Sequence, residues 1–92
     1  MSYEVLYHQE VVKQDIPALA QTMKQRVKVT IEAKLLTRPE LFGIPLRQSL
    51  KGHRKLRVGS YRVVFTIKKA TVIVLAILPR DHVYEVVEKR LG

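Results

Sequence analysis

The sequence predicts an α+β fold: two N-terminal helices packed on a small, mostly antiparallel sheet in the order β-α-α-β-β-β, with a short C-terminal helix. Three observations carry that expectation. Between residues 21 and 37 apolar side chains recur every fourth position, the period of a helix with one buried face. From 53 to 67 apolar residues alternate with cations around a Gly-Ser pair, as in a hairpin. From 70 to 78 apolar residues occupy both parities, as in a strand covered on two faces. A chain of 92 residues wraps only one core, so residues 1–92 are expected to form a single domain.

Taken in order, Ser2 to Tyr7 alternates as a short strand, with Tyr3 and Tyr7 as ordinary strand residues. From Gln9 the period changes, and Val12, Ile16 and Leu19 fall on one helical face. Pro17 offers no N–H and clashes with the carbonyl of Lys13, so this first helix is expected to kink or end early. The second helix, Gln21 to Thr37, buries Met23, Val27, Ile31 and Leu35, with Lys24, Lys28, Glu32 and Lys34 off that stripe. Arg38 to Ser49 contains Pro39, Gly43 and Pro45 and reads as an irregular connector. His53 to Val58 and Tyr61 to Ile67 flank Gly59-Ser60, which suits a type II′ turn, and Lys68-Lys69 turns the chain into Ala70 to Leu78. Asp81 is placed to cap a final helix, His82 to Leu91, that ends at Gly92.

Seventeen Lys and Arg against eight Asp and Glu give a net charge of +9. Such an excess suits a polyanionic partner such as nucleic acid, with plain solubility as the other reading. The absence of cysteine excludes disulfides and thiolate metal sites, and His8, His53 and His82 have no carboxylate cluster beside them. No metal or other cofactor is expected. The opening residues MSYEVLYHQE lack a basic start followed by an apolar run, and the longest apolar stretch, Val72 to Pro79, is too short to cross a bilayer. The expected location is cytoplasmic, with no membrane partner.

The stretch KGHRKLRVGSYRVVF, residues 51 to 65, concentrates Lys51, His53, Arg54, Lys55, Arg57 and Arg62 beside core-like residues. Strand alternation places His53, Lys55 and Arg57 on one face. A two-residue turn at Gly59-Ser60 sets Val58 opposite Tyr61 and Arg57 opposite Arg62, which adds Arg62 to that face. Leu56, Val58, Tyr61, Val63, Phe65 and Ile67 form the complementary apolar face. Arg54 is the misfit, near a strand end where it can escape to solvent. Two arginines opposed across a hairpin repel, whereas a phosphate between them converts the repulsion into charge-assisted hydrogen bonds. Arg80, His82 and Tyr84 follow the last strand, where a helix N-terminus presents unpaired N–H groups suited to an anion.

The hairpin LKGHRKLRVGSYRVVF and the ending PRDHVYEVVEKRL resemble the RelE/ParE toxin superfamily of type II toxin–antitoxin systems, and the similarity covers nearly the whole chain. The resemblance implies a ribosome-dependent mRNA endoribonuclease, acting in the ribosomal A site, that uses the substrate's 2′-hydroxyl as nucleophile and no metal. It assigns Lys55 to proton abstraction or charge stabilisation and Arg62 to the scissile phosphate. Arg80 and Tyr84 match a C-terminal arginine and a tyrosine that orients or stacks a base. His53 stands where the best-known ribosome-dependent members carry a second lysine, and His82 is the alternative acid or base. Arg57, Arg54 and Lys51 are the expected RNA-phosphate contacts. The implied partners are mRNA with the ribosome and a cognate antitoxin, whose acidic amphipathic segment folds on the toxin. Val83, Val86, Val87 and Leu91 form the apolar side of the last helix, which either packs on the sheet or yields to that segment. Two alternatives stay open: a ParE-like inhibitor of DNA gyrase, and a catalytically weak module that only binds its antitoxin.

Overall fold

The computed structural model describes residues 3–92, so Ser2, where the first strand is expected to begin, lies outside the described residues. Five strands form one sheet: β1 (Glu4–Tyr7), β2 (Ile44–Pro45), β3 (Arg54–Val58), β4 (Tyr61–Lys68) and β5 (Thr71–Pro79). Their spatial order is β1-β5-β4-β3-β2. β1 runs parallel to β5, and the remaining pairs are antiparallel. Helix α1 (Gln21–Lys34) packs on one face and helix α2 (Val83–Leu91) on the other. This is the expected α+β arrangement, with N-terminal helices, a mostly antiparallel sheet and a C-terminal helix. No helix among the described residues is long and apolar enough to cross a membrane.

The two faces of the sheet build two apolar clusters. On the α1 face, Val27, Ile31 and Leu35 pack with Leu56, Val58, Val63, Phe65, Val72, Val74 and Ile77. Tyr61 and Ile67 are half-buried against them, so the apolar face read from the hairpin alternation is the one observed. On the opposite face Val64 and Ala76 meet Val83 and Val87 of α2, with Leu50 beside them. β5 is interior to the sheet and covered on both sides, which is why both of its parities are apolar.

The hairpin register follows its turn. Val58 pairs with Tyr61 and Arg57 with Arg62. Gly59 takes φ +61°, while Ser60 stays out of the left-handed region, as a type II′ turn requires. Connector residues Ile44 and Pro45 form the two-residue β2, which pairs with Lys55 and Arg54. Gly43 makes that approach possible. At φ +86° it adopts a backbone that side chains disfavour, and a Cβ there would stand 2.8 Å from the Phe65 ring.

Three local features differ from expectation. The first helical segment is a short π-type turn, Val11–Asp15, closed by the Ile16 N–H donating to the Val11 carbonyl at 2.9 Å. It ends before Pro17, and its buried stripe is Val11, Asp15 and Leu19, whereas Val12 is 56% exposed. Leu19 is thus buried as expected and Ile16 packs partly against the core, while the positions buried ahead of them are Val11 and Asp15, the latter an aspartate that apolar periodicity passes over. Asp81 does not cap α2: the residue preceding the helix is His82, and Asp81 Oδ1 lies 3.0 Å from His82 Nδ1 instead. Finally, Leu91 is 45% exposed, and the inward stripe of α2 is Val83, Val87 and Arg90.

Arg90 is buried because it has partners. Its guanidinium donates from Nη1 and Nη2 to Asp15 Oδ2 and Oδ1, each at 2.8 Å, and from Nη1 to the Leu75 carbonyl at 2.8 Å. Asp15 Oδ2 also accepts the Ile77 N–H at 3.0 Å. The register of β5 shifts here, since Val64 pairs with Ala76 but Phe65 with Val74, leaving Leu75 as the extra residue of a bulge. The ion pair thus occupies backbone groups at and just after the bulge and ties the π-type turn, β5 and α2 together. The hydrogen bonds that Arg90 donates to Asp15 raise its pKa above the ordinary value.

Candidate functional site

β3 and β4 carry the site because alternation places cations on the α2 face while their neighbours fill the α1-side core. Lys55 pairs with Val64, and Arg57 with Arg62, which in turn opposes Leu78 on β5. Arg57 is exposed, while Lys55 and Arg62 are half-buried. None of the eight carboxylates of the chain lies on β3 or β4. Among the described residues the ion pairs are Asp15–Arg90 and Asp81–His82, so Lys55, Arg57 and Arg62 have no carboxylate within salt-bridge distance. The opposed arginines are a local electrostatic cost that no acidic side chain offsets.

Arg62 and Lys55 are held in different ways. Arg62 donates from Nη1 to the Tyr61 carbonyl at 2.9 Å and to the Gly59 carbonyl at 3.2 Å, which draws its guanidinium toward the hairpin tip. Lys55 Nζ sits over the Tyr84 ring, 5.7 Å from its centroid. A cation in that position gains about 0.5–1 kcal/mol from the ring face, enough to favour one rotamer of a flexible side chain. Tyr84 is half-buried and packs with Leu46 and Leu78 against the α2-side cluster.

β5 delivers the remaining candidates to the same end of the sheet. Its last residue, Pro79, opposes Tyr61, so Arg80 arrives beside the hairpin tip, where its N–H donates to the Ser60 carbonyl at 3.2 Å. The Arg80 side chain is exposed. The Asp81 contact holds the exposed His82 ring; with its proton on Nδ1, the imidazole keeps Nε2 as an acceptor nitrogen.

The catalytic candidate His53 and the expected phosphate contacts Arg54 and Lys51 are not gathered there. Arg54 does not escape to solvent: it is half-buried, pairs with Phe65, and donates to the Gly43 carbonyl at 3.4 Å. His53 precedes β3, with Nδ1 3.3 Å from the Leu50 carbonyl, and lines a separate hollow with Pro45, Arg54 and Ile67. Lys51 is exposed in the turn before it.

Lys34 and Arg26 of α1 reach the hairpin, although the sequence marks neither as a site residue and shows Lys34 only as lying off the buried stripe. A hollow of about 400 Å³ against β3 is lined by Lys34 as well as by Lys55, Arg57 and Arg62. Arg26 Nη1 lies 3.1 Å from where a Cβ on Gly59 would stand. Both residues sit off the apolar stripe of α1, but only the packed helix shows which flank faces the hairpin.

Comparison with known proteins gives this geometry a context. Residues 5–84 match the family model for the ParE toxin of the type II toxin–antitoxin system parDE. No curated protein matches the chain. Among solved structures, the toxin–antitoxin complex RelBE2 from Mycobacterium tuberculosis superimposes with a TM-score of 0.79 at 27% identity, covering 87% of this chain and 93% of that one. The archaeal RelE–RelB complex from Pyrococcus horikoshii gives 0.60 at 25% identity, with 87% and 97% covered. A mutant of Escherichia coli toxin RelE in the free state gives 0.80 over the full length of both chains; at 20% identity it speaks to the fold. With most of its length matched by the family model and its fold shared with these proteins, the chain belongs to the ParE toxin family of type II toxin–antitoxin systems, within the RelE/ParE superfamily.

Proposed function

We propose that this chain is a toxin that cleaves mRNA on the ribosome, using the cationic face of the β3–β4 hairpin. The observation that carries the reading is the set of hairpin cations without carboxylate partners, with Lys55 held over Tyr84. In the reaction the 2′-oxygen of the substrate attacks the adjacent phosphorus. A 2′-O–P bond forms, the P–O5′ bond breaks, and the product is a 2′,3′-cyclic phosphate. His82, or Lys55 in its neutral form, accepts the 2′-OH proton, and the 5′-oxygen takes up a proton from water or from the other of the two in its protonated form as it leaves. Arg62 and Arg57, facing each other, bind the non-bridging oxygens and stabilise their growing charge. Arg80 adds charge from the hairpin tip, and Tyr84 offers the ring on which a splayed base stacks.

The proposed regulating partner is a cognate antitoxin, in keeping with the toxin–antitoxin complexes that this chain resembles. One observation favours a second reading: the matching family model is that of ParE, which suits a gyrase inhibitor. Purified protein added to ribosomes translating a defined mRNA separates the two. Codon-positioned cleavage by the wild type, lost in a folded Arg62→Ala variant, supports the first reading. Intact mRNA with gyrase-dependent DNA breaks supports the second.

A further inference from the structure

The inward stripe of α2 ends on an arginine where an apolar residue would suffice for packing. Val83 and Val87 are fully buried, and Arg90, at the i+7 position of the same stripe, has a side chain only 8% exposed. Its partner Asp15 is buried more deeply still, at 1%. A buried ion pair is costly to desolvate, and an apolar pair of similar volume often serves stability as well. What such a pair adds is direction. Contacts between valines and a sheet are non-directional, whereas a two-pronged guanidinium–carboxylate bond fixes angle and distance. Here the fork is itself anchored to the backbone at the β5 bulge, through the Leu75 carbonyl and the Ile77 N–H.

We propose that the Asp15–Arg90 pair is a positioning device: it sets the rotation and register of α2 on the sheet and thereby holds the Tyr84 ring under Lys55. Tyr84 stands six residues before Arg90 on a helix of nine residues, a rise of roughly 9 Å. A slip of one residue would turn the helix by about 100° and carry the ring away from Lys55. Tyr84 is placed by its helix and by packing against the α2-side cluster, so the orientation of α2 is the orientation of the ring. Arg90 and Asp15 form no hydrogen bond or ion pair with Lys55 or Tyr84 and act through α2. The value of this placement for catalysis rests on the endoribonuclease reading; the placement itself does not.

The test uses the full chain with Arg90→Lys, which keeps the charge but loses the fork, and Asp15→Asn, which keeps the shape and an acceptor for Ile77. Nuclear magnetic resonance reads the Tyr84 ring signals and their cross-relaxation with the Lys55 side chain. In both variants the sheet signals are expected to persist while the ring signals move and the Lys55–Tyr84 contacts weaken. Single-turnover cleavage on programmed ribosomes is expected to fall about tenfold or more at saturation, with the half-saturating concentration little changed, as misplacement of a site group predicts. Adding Tyr84→Ala to either variant is expected to cost less than about twofold, although alone it costs far more, because coupled residues are not additive. Ring signals and Lys55 contacts identical to the wild type would overturn the proposal, as would fully multiplicative rate effects. Loss of the fold in both variants would also overturn it, leaving a purely structural pair. A wild type that leaves mRNA intact would sink the endoribonuclease reading alone, since the ring signals decide the placement independently.

Discussion

Replacing Arg57 by Gln is expected to make the free protein more stable and less active. Arg57 faces Arg62 across the hairpin, is exposed, and has no carboxylate partner. Unit charges roughly 7 Å apart in a water-like dielectric repel by about 0.6 kcal/mol, within the range for opposed like charges on a sheet. Relief of that repulsion raises the melting temperature by about 2–5 °C for a domain of this size. Thermal unfolding at low and high salt checks it: the gain is expected to shrink as the Debye length falls from about 10 Å at 0.1 M to about 3 Å at 1 M. Added phosphate or a short RNA is expected to stabilise the wild type more than the variant, since a ligand of the native state adds stability by mass action. A variant less stable than the wild type at low salt, or a gain independent of salt, would refute the idea that this pair is a local electrostatic cost.

Gly43→Ala places a Cβ 2.8 Å from the Phe65 ring at φ +86°, and a loss of about 1–3 kcal/mol in denaturant unfolding is expected from overpacking and backbone strain. Arg90→Met leaves the Asp15 carboxylate buried without its guanidinium, so a loss of about 3–5 kcal/mol is expected, again read by denaturant unfolding. Partial desolvation of a residue that keeps 40% of its surface exposed, with a smaller contribution from Glu32, raises the Tyr7 phenol above its ordinary value of 10.0. The folded state therefore holds that proton more tightly than the unfolded state. The associated stability is complete below the unfolded value and is lost as pH rises through the folded one. Tyr7→Phe is expected to flatten that part of the alkaline limb of a stability–pH profile.

The hairpin was legible because a two-residue turn fixes register, and register fixes which side chains share a face. The opposition of Arg57 and Arg62 and the separation of Leu56 and Val58 from Lys55 follow from that turn alone. The Asp15–Arg90 pair was not legible, since its partners lie 75 residues apart and each occupies a stripe that periodicity reads as apolar. The π-type turn at Val11–Asp15 buries Val11 and Asp15 in place of Val12, a change visible only once the Ile16 N–H is seen to reach Val11. Arg54 was misplaced for a related reason. Its alternation put it correctly on the α1 face, but only the folded connector shows the Gly43 carbonyl waiting there. Lys34 and Arg26 were hidden because a helical pattern names the buried stripe without naming the neighbours of its flanks.

The most direct measurement of the central claim is the chemistry of the RNA ends produced when this protein acts on ribosomes programmed with a defined mRNA. Attack by the substrate's own 2′-oxygen leaves a 2′,3′-cyclic phosphate on the upstream fragment and a 5′-hydroxyl on the downstream one, at a fixed position within the A-site codon. That outcome, abolished by Arg62→Ala in a folded protein, is the one expected. Intact mRNA, or fragments ending in 3′-hydroxyl and 5′-phosphate, would contradict it.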